Sequence, residues 1–263
     1  MALFSLGPTL KRMSARKVRE RILPGLKHLH RSRLRRCGCC GRVAFVLCLD
    51  SAGEWQRCLR CGANLRYEIL AECLRREVRN PADLRVVELD PDSPLRSWLS
   101  RAGDYTRTYY AAEDERGQSR RDGARCEDVT RMTFPDASVD LLVSSEVLEH
   151  VPDLAAAGRE IARVLRPTGR HFFTVPTLDQ PQSIHRAVVK EGRVEHLVEP
   201  EYHGDPLDKG GILAFWSFGW DLPRLLDTPQ IQTRPVVTLR GVDGALRRVV
   251  WETRRVEAKE SSL

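Results

Sequence analysis

"CEDVTRMTFPDASVDLLVSSEVLEHVPDLAAAGREIARVLRPTGRHFFTVP", residues 126–176, contains two apolar runs with a helical pattern between them. The first run, inside "PDASVDLLVSSEVLEHVPD", is short and almost unbroken, as expected of a strand buried on both faces. After it, "DLAAAGREIARVL" places Leu154, Ala157, Ile161, Val164 and Leu165 on one face at helical spacing. "RPTG" is expected to end that helix before a second strand, "RHFFTVP". Strand, helix and strand in this order build a parallel sheet.

The same rhythm extends in both directions. Upstream, "RVVELDPDSPL", Arg85 to Leu95, opens with an apolar valine-rich strand that stops at Asp90 and Pro91. A short helix, "SPLRSWLSRAG", a second strand near "YTRTYYAA", a polar loop from Glu113 to Gly123 and the segment "ARCEDVTRMTF" follow. Downstream, "VVTLRGVDGALRRVVWETRR" reads as a hairpin turning at Asp243 and Gly244. The expected fold is α/β, a Rossmann-like doubly wound sheet closed by an antiparallel hairpin, over residues 76–263.

Residues 37–75 carry a different signal, expected to be a zinc ribbon and a linking helix. "CGCCG" and "CLRCG" set Cys37/Cys40 and Cys58/Cys61 as two pairs, each with two residues between the thiols and a glycine after the second, and 17 residues separate the pairs. One tight turn presents both thiolates of a pair to a metal, and four thiolates close a tetrahedron around structural zinc. Between them, "RVAFVLCLDSAGEWQR" is expected to form a hairpin turning at Ser51 to Gly53. Cys48 then falls on a strand and Cys73 on the helix "NLRYEILAECLRREV", both as buried thiols. Cys39 is ambiguous as an alternative ligand, although only Cys37 and Cys40 repeat the spacing of the second pair. The remaining alternative is a set of reduced or disulfide-bonded cysteines without metal.

With 263 residues, 41% of them hydrophobic and 30% charged, the chain can bury one full α/β core with a small appendage. Its net charge of +7 is concentrated at the start, because residues 1–36 hold eleven Lys and Arg against the single Glu20. Val18, Ile22, Leu26 and Leu29 lie at helical spacing among those cations, so a basic amphipathic helix is expected, interrupted or not at Pro24. Such a helix can meet RNA, anionic lipid or an acidic partner, or pack on its own domain. No apolar run approaches the roughly 20 residues that span a bilayer. The Arg-rich, acid-poor start lacks a long apolar core; a transit peptide shares this composition, but the nearby cysteines argue for a retained element. The expected location is the cytoplasm.

The phrase "FPDASVDLLVSSEVLEHVPD" followed by "REIARVLRPTG" resembles the middle of the class I S-adenosylmethionine-dependent methyltransferases, and the terminal hairpin is similar to that family's last two strands. The resemblance covers about two-thirds of the chain, and "EYHGDPL" with "FGWDL" is similar to a bacterial subgroup, some members of which carry a cysteine ribbon in front. It implies an S-adenosylmethionine site in the crevice at the strands' carboxyl ends. Glu88 matches the acid that ends the first strand, Asp128 the carboxylate that accepts from the adenine amino group, and Val129 a neighbouring backbone contact. Ser144, Ser145 and Glu146 match the lining at the fourth strand's end. Glu149 and His150 match the family's acid–histidine pair, with proton transfer or a positioning role open to His150.

Two departures accompany the resemblance. The family's Gly-x-Gly turn is replaced by Asp90, Pro91, Asp92, Ser93 and Pro94, which adds negative charge that a sulfonium tolerates and that Asp90 can use toward it. The acid that takes the ribose hydroxyls is replaced by Tyr109, with Glu113 and Asp114 a few residues late. The expected activity is methyl transfer to a small-molecule or glycan-type acceptor. Alternatives are a non-catalytic scaffold, or an RNA methyltransferase gripping with ribbon and tail. Tyr202, Asp205 and Trp216 are the expected acceptor contacts, since aromatic faces with nearby carboxylates suit a polyol. His203 is the candidate base; the alternative is a loop histidine bonded to Asp205 or to backbone.

Overall fold

The computed structural model describes residues 25–50, 55–204, 211–241 and 243–256. The chain divides into two compact units, one comprising Met1–Arg79 with Asp92–Ser100, the other Asn80–Pro91 with Arg101–Leu263. The turn after the first sheet strand therefore passes from the second unit to the first.

The first unit holds a three-stranded antiparallel sheet in the order β1 (Arg33–Arg36), β2 (Val43–Cys48), β3 (Gln56–Cys58). Helix α1 (Leu65–Glu77) follows, opened by the Asn64 side chain accepting from Tyr67 N–H at 3.2 Å. The short helix α2 (Arg96–Leu99) belongs to the same unit and covers less than the sequence pattern led one to expect. The basic segment also departs from expectation in its described part. Leu26–Arg31 forms a 3-10 turn, and "RLRR" pairs with β2 as β1, where Arg35 meets the buried Glu68 at 2.8 Å. That ion pair and the β2 edge hold these arginines extended. Val18, Ile22 and Pro24, like the Ser51–Gly53 turn, lie outside the described residues.

The second unit is built on a seven-stranded sheet. Its strands are β4 (Arg85–Glu88), β5 (Asp104–Tyr109), β6 (Arg125–Cys126), β7 (Val139–Ser145), β8 (Leu165–Thr174), β15 (Ile231–Arg240) and β16 (Leu246–Arg255). They lie in the order β15-β16-β8-β7-β4-β5-β6. The five strands β6, β5, β4, β7 and β8 are parallel, and β16 runs antiparallel to both β8 and β15. This is the expected Rossmann-like sheet with a reversal of strand order, closed by an antiparallel hairpin. The strand order reverses between β4 and β7, the point beyond whose carboxyl ends open α/β sheets bind ligands.

Helix α3 (Leu154–Val164) packs on this sheet through Leu154, Ala157, Ile161 and Val164, all buried, and the Asp153 side chain caps it by accepting from Ala156 N–H at 2.8 Å. "RPTG" is not the expected loop. Leu165 is fully buried and pairs with Val139, so the chain passes straight from α3 into β8 and the four residues are absorbed by an irregularity in that pairing. Fully buried Phe172, Phe173 and Trp251 lie on β8 and β16.

Between β8 and the short helix α4 (Leu222–Leu226) the chain forms three small antiparallel pairs: β9 (Ile184–His185) with β14 (Trp216–Ser217), β10 (Ala187–Lys190) with β11 (Arg193–His196), and β12 (Tyr202–His203) with β13 (Ile212–Leu213). No helix among the described residues is long and apolar enough to cross a membrane.

Candidate functional site

In the first unit the two cysteine pairs fold alike. Cys37 N–H donates to Arg42 O and Gly41 N–H to Cys37 O, both at 2.9 Å. Cys58 N–H donates to Ala63 O at 2.9 Å and Gly62 N–H to Cys58 O at 2.8 Å. Each turn closes through a glycine in the left-handed region, Gly41 at φ 68° and Gly62 at φ 78°, which other L residues rarely adopt. The sulfurs of Cys37, Cys40, Cys58 and Cys61 lie within 4.8 Å of one another, with Cys37 and Cys61 at 3.7 Å. A tetrahedron with bonds of about 2.3 Å places its sulfurs about 3.8 Å apart, so the donor set and spacing suit a closed zinc site. Cys39 is not one of these four, and its thiol donates to Pro94 O at 3.4 Å.

In the second unit the crevice side is lined at the ends of β4, β6 and β7. Glu88 closes β4, is buried, and accepts from the Tyr105 hydroxyl. In the glycine-free turn, Pro91 O accepts from the buried Arg107 guanidinium of β5, which also donates to Asp122 O. Asp128 follows β6; its Oδ1 accepts from Thr130 N–H at 2.8 Å and from the Thr130 hydroxyl at 2.7 Å, leaving Oδ2 for a ligand donor. Val129 beside it is buried. Glu146 follows β7 with φ 57°, and its N–H donates to Thr174 O at 2.8 Å. A non-glycine residue held left-handed costs of order 1 kcal/mol and is characteristic of functional turns.

Ser144 and Ser145 take up less of the crevice than the resemblance implies. Both are buried, with the Ser144 hydroxyl 2.8 Å from His171 Nε2 and the Ser145 hydroxyl 2.9 Å from Thr174 Oγ1. The late acid does reach the Tyr109 position, because Asp114 Oδ2 accepts from the Tyr109 hydroxyl at 2.6 Å. An acid with one oxygen outside these bonds thus follows β6, and a left-handed residue follows β7.

A second cluster lies just past Glu146. The 3-10 turn Leu148–His150 carries Glu149 and His150, and β12 carries His203. Backbone bonds fix them together: Phe215 N–H donates to Glu149 O at 2.7 Å, and Ala214 N–H to Glu201 O at 2.8 Å. Glu149 is fully buried, and neither of its carboxylate oxygens accepts a hydrogen bond. Its Oε1 lies 3.6 Å from His203 Nδ1 and 3.8 Å from His150 Nε2. The outer nitrogens are engaged as well, His150 Nδ1 at 2.8 Å from Leu213 O and His203 Nε2 at 3.2 Å from Glu201 Oε1. The Glu149 carboxylate raises the His203 imidazole above its ordinary value against the opposing effect of burial, and Glu201 adds to it. Glu201 is itself held by Arg186 at 2.7 Å.

These contacts bear on two of the expectations. His203 has both ring nitrogens facing carboxylates, so it lacks the free nitrogen that a base needs to reach an acceptor. Trp216 donates Nε1–H to Val151 O at 3.1 Å, and His185 stacks on its ring at 3.8 Å, so less aromatic face is left for an acceptor. Tyr202 is exposed on β12, and Asp205 lies outside the described residues. Sequence reasoning passed over Glu201, Arg186 and His185; for Glu201 the only trace was its place two residues before His203.

Residues 59–173 match the family described as a methyltransferase domain. An uncharacterized methyltransferase of Mycobacterium sp. (strain JLS) is 52% identical over 40 residues, a stretch spanning 15% of this chain and 16% of that protein. Among solved structures, an S-adenosylmethionine-dependent methyltransferase from Mesorhizobium loti shares 18% identity with a TM-score of 0.43, covering 70% of this chain and 96% of that one. The Burkholderia thailandensis 1,6-didemethyltoxoflavin-N1-methyltransferase, solved with that compound and S-adenosylhomocysteine, shares 17% with a TM-score of 0.45, covering 72% and 77%.

Proposed function

We propose that this protein is an S-adenosylmethionine-dependent methyltransferase acting on a small-molecule acceptor of sugar or polyol type, with structural zinc in its ribbon. The observation that carries the reading is that the methyltransferase-domain match, residues 59–173, includes β4 to β7 and nearly all of β8, the strands near whose carboxyl ends Glu88, Asp128 and Glu146 lie. Bound there, the cofactor supplies an electrophilic methyl group on a positively charged sulfur. Asp128 Oδ2 would accept from the adenine amino group, Val129 would give its backbone beside it, and the Tyr109–Asp114 pair would take the ribose hydroxyls. Glu88 and Asp90 add negative charge that favours the sulfonium.

The acceptor lies against the small strand pairs that follow β8, where exposed Tyr202 offers a ring and a hydroxyl. This chain's part would be to hold the acceptor close to the bound cofactor, since positioning alone can supply much of a rate enhancement. Glu149, His150 and His203 border this region as a rigid polar wall, and His203 is not assigned the proton. Cys37, Cys40, Cys58 and Cys61 hold zinc as a closed site that supports folding and performs no chemistry.

Calorimetry with S-adenosylmethionine tests the cofactor. Binding is expected, and Asp128→Ala should weaken it by about 1–3 kcal/mol, the cost of leaving a ligand donor unpaired. Absence of heat and of thermal shift at saturating cofactor would favour the scaffold alternative. Radiolabelled methyl transfer to fractionated extract, with and without ribonuclease, tests the acceptor. Label in a ribonuclease-resistant small-molecule or glycan fraction is expected, and label lost with ribonuclease would move the acceptor to RNA.

A further inference from the structure

We infer that Glu149, His150 and His203 form a second metal site, one that binds a divalent transition ion such as Zn2+ through His150 Nε2, His203 Nδ1 and the Glu149 carboxylate. These three ligand atoms lie within 4.8 Å of one another, and contraction by well under 1 Å at the closer pairs gives the spacing of ligands on a tetrahedral ion. The site stands whether or not the protein transfers methyl groups.

The hydrogen-bond directions argue for a cation more strongly than the distances. His150 Nδ1 faces a backbone carbonyl, which can only accept, so Nδ1 carries the proton and Nε2 presents a bare lone pair. His203 Nε2 faces the Glu201 carboxylate, another acceptor, so its proton belongs there and Nδ1 turns a lone pair toward Glu149. Glu149 is fully buried and accepts no hydrogen bond at either oxygen. Three acceptors thus converge with no donor among them, an arrangement that repels itself unless a positive charge sits between. A proton added to His203 serves Glu149 alone and leaves the His150 lone pair facing a carboxylate. A metal ion satisfies all three at once.

The surroundings are those of a built site. Metal-binding histidines donate their outer N–H to a carbonyl or carboxylate, which fixes tautomer and ring angle. Leu213 O does this for His150 and Glu201 for His203, and Glu201 is anchored in turn by Arg186 at 2.7 Å and by the Ser217 hydroxyl at 3.4 Å. Two imidazoles and one carboxylate are the donor set of open sites that keep a position for an exchangeable oxygen ligand. The exposure fits, because Glu149 is sealed while the His203 side chain remains 26% exposed. The ribbon differs in donor type, so the two sites are separable in one experiment.

The experiment is metal titration of the full-length chain with Zn2+ and, in parallel, with Co2+. Wild type is expected to hold two equivalents. The ribbon's Co2+ brings sulfur charge-transfer absorption, and the second equivalent adds d–d bands with no further sulfur absorption. The His150→Ala/His203→Ala variant should hold one equivalent with the sulfur signature intact, and Glu201→Gln should bind the second ion about 10–100-fold more weakly, the usual effect of losing an outer partner. The wild-type spectra need no variant to fold, and the retained sulfur bands report that the variants did. A single equivalent in wild type that carries the sulfur bands overturns the inference. So does an unchanged second equivalent in the double variant, or a second equivalent whose absorption is sulfur-derived.

Discussion

The ribbon knuckles and the Glu149 cluster are both places where metal-binding side chains converge, but they are built in opposite ways. The knuckles are two copies of one local turn, each closed by its own backbone and a left-handed glycine, and the pairs face each other across three short strands. The Glu149 cluster joins a 3-10 turn after β7 to a strand more than fifty residues further along, and its parts are fixed by backbone bonds between distant segments. On the proposed reading, the first is a site that makes its unit fold. The second is a site that an already folded sheet presents, so each should respond differently when a ligand is removed.

Loss of a knuckle should have the largest effect. On the proposed reading, this small three-stranded sheet draws its stability from zinc, whose contribution in such modules is on the order of 10 kcal/mol. Cys58→Ser, or Cys37→Ser, is expected to abolish one equivalent of tightly bound zinc and to unfold the ribbon while the seven-stranded sheet persists. Metal analysis with proteolysis of the two units checks this. A variant that retains zinc, or protein made under reducing conditions without any, would remove the ribbon's metal.

Removing a satisfied buried charge from the sheet should come next. Glu252 on β16 is fully buried like Glu149, but it is ringed by Arg170 at 2.5 Å, Arg254 at 2.7 Å and Arg234 at 3.0 Å. Burial opposes its charge, and Arg254, Arg170 and Arg234 overcome that opposition and hold the carboxyl below its ordinary value. Glu252→Ala leaves three guanidinium groups against one another and is expected to cost about 3 kcal/mol, toward the low end for breaking a buried pair because two of the arginines are partly exposed. Denaturant unfolding measures it, and a loss below about 1 kcal/mol would mean that solvent already screens the cluster.

How far these regions were legible in the sequence follows from the same contrast. The knuckles were readable because ligand spacing and the following glycines all lie within five residues of each other. The parallel strands, α3 and the terminal hairpin were readable because burial sets their period. The assembly of Glu149 with His203, and the orientation of both histidines, was not readable, since it depends on the carbonyls of Leu213 and the side chain of Glu201 arriving from other segments. "RPTG" misled because proline and glycine signal a break, whereas the burial of Leu165 against Val139 decided the path. The Glu252 cluster was not readable, because Arg170 reaches it from a strand some eighty residues earlier.

His171 gives a pH-dependent effect of intermediate size. It is fully buried on β8, and burial pushes its imidazole down to about 3. The folded protein therefore keeps it neutral while the unfolded chain takes up a proton below about pH 6.5. Its contribution to stability is fully present above that pH and is lost as pH falls toward the folded value, by about 1.4 kcal/mol per unit. Unfolding of wild type and His171→Gln at about pH 6.5 and 5.5 isolates the group from acid loss of ribbon zinc, which both share. Equal losses in the two proteins would show that His171 does not set the slope.

Glu149→Gln should have the smallest effect, and its sign separates the two ways of placing positive charge in the cluster. The amide keeps an acceptor oxygen and adds an N–H donor that can face the lone pairs of His150 Nε2 or His203 Nδ1. In metal-free protein the buried carboxylate accepts no hydrogen bond, so exchanging it for an amide with a partner should stabilise the fold by about 1 kcal/mol. Were a proton on His203 the resident cation, the same exchange would break an ion pair and destabilise instead. With excess zinc the order should reverse, because binding to the folded state stabilises wild type by RT ln(1 + [Zn]/Kd) and the variant, lacking its anionic ligand, gains less. Melting temperatures of the pair, measured after stripping with a chelator too weak to open the ribbon and again with zinc restored, carry the test. A variant less stable than wild type under both conditions would assign the charge to His203 and leave the cluster without metal, whereas a crossing of the two curves would set it apart from the ribbon as a site that binds its ion after folding.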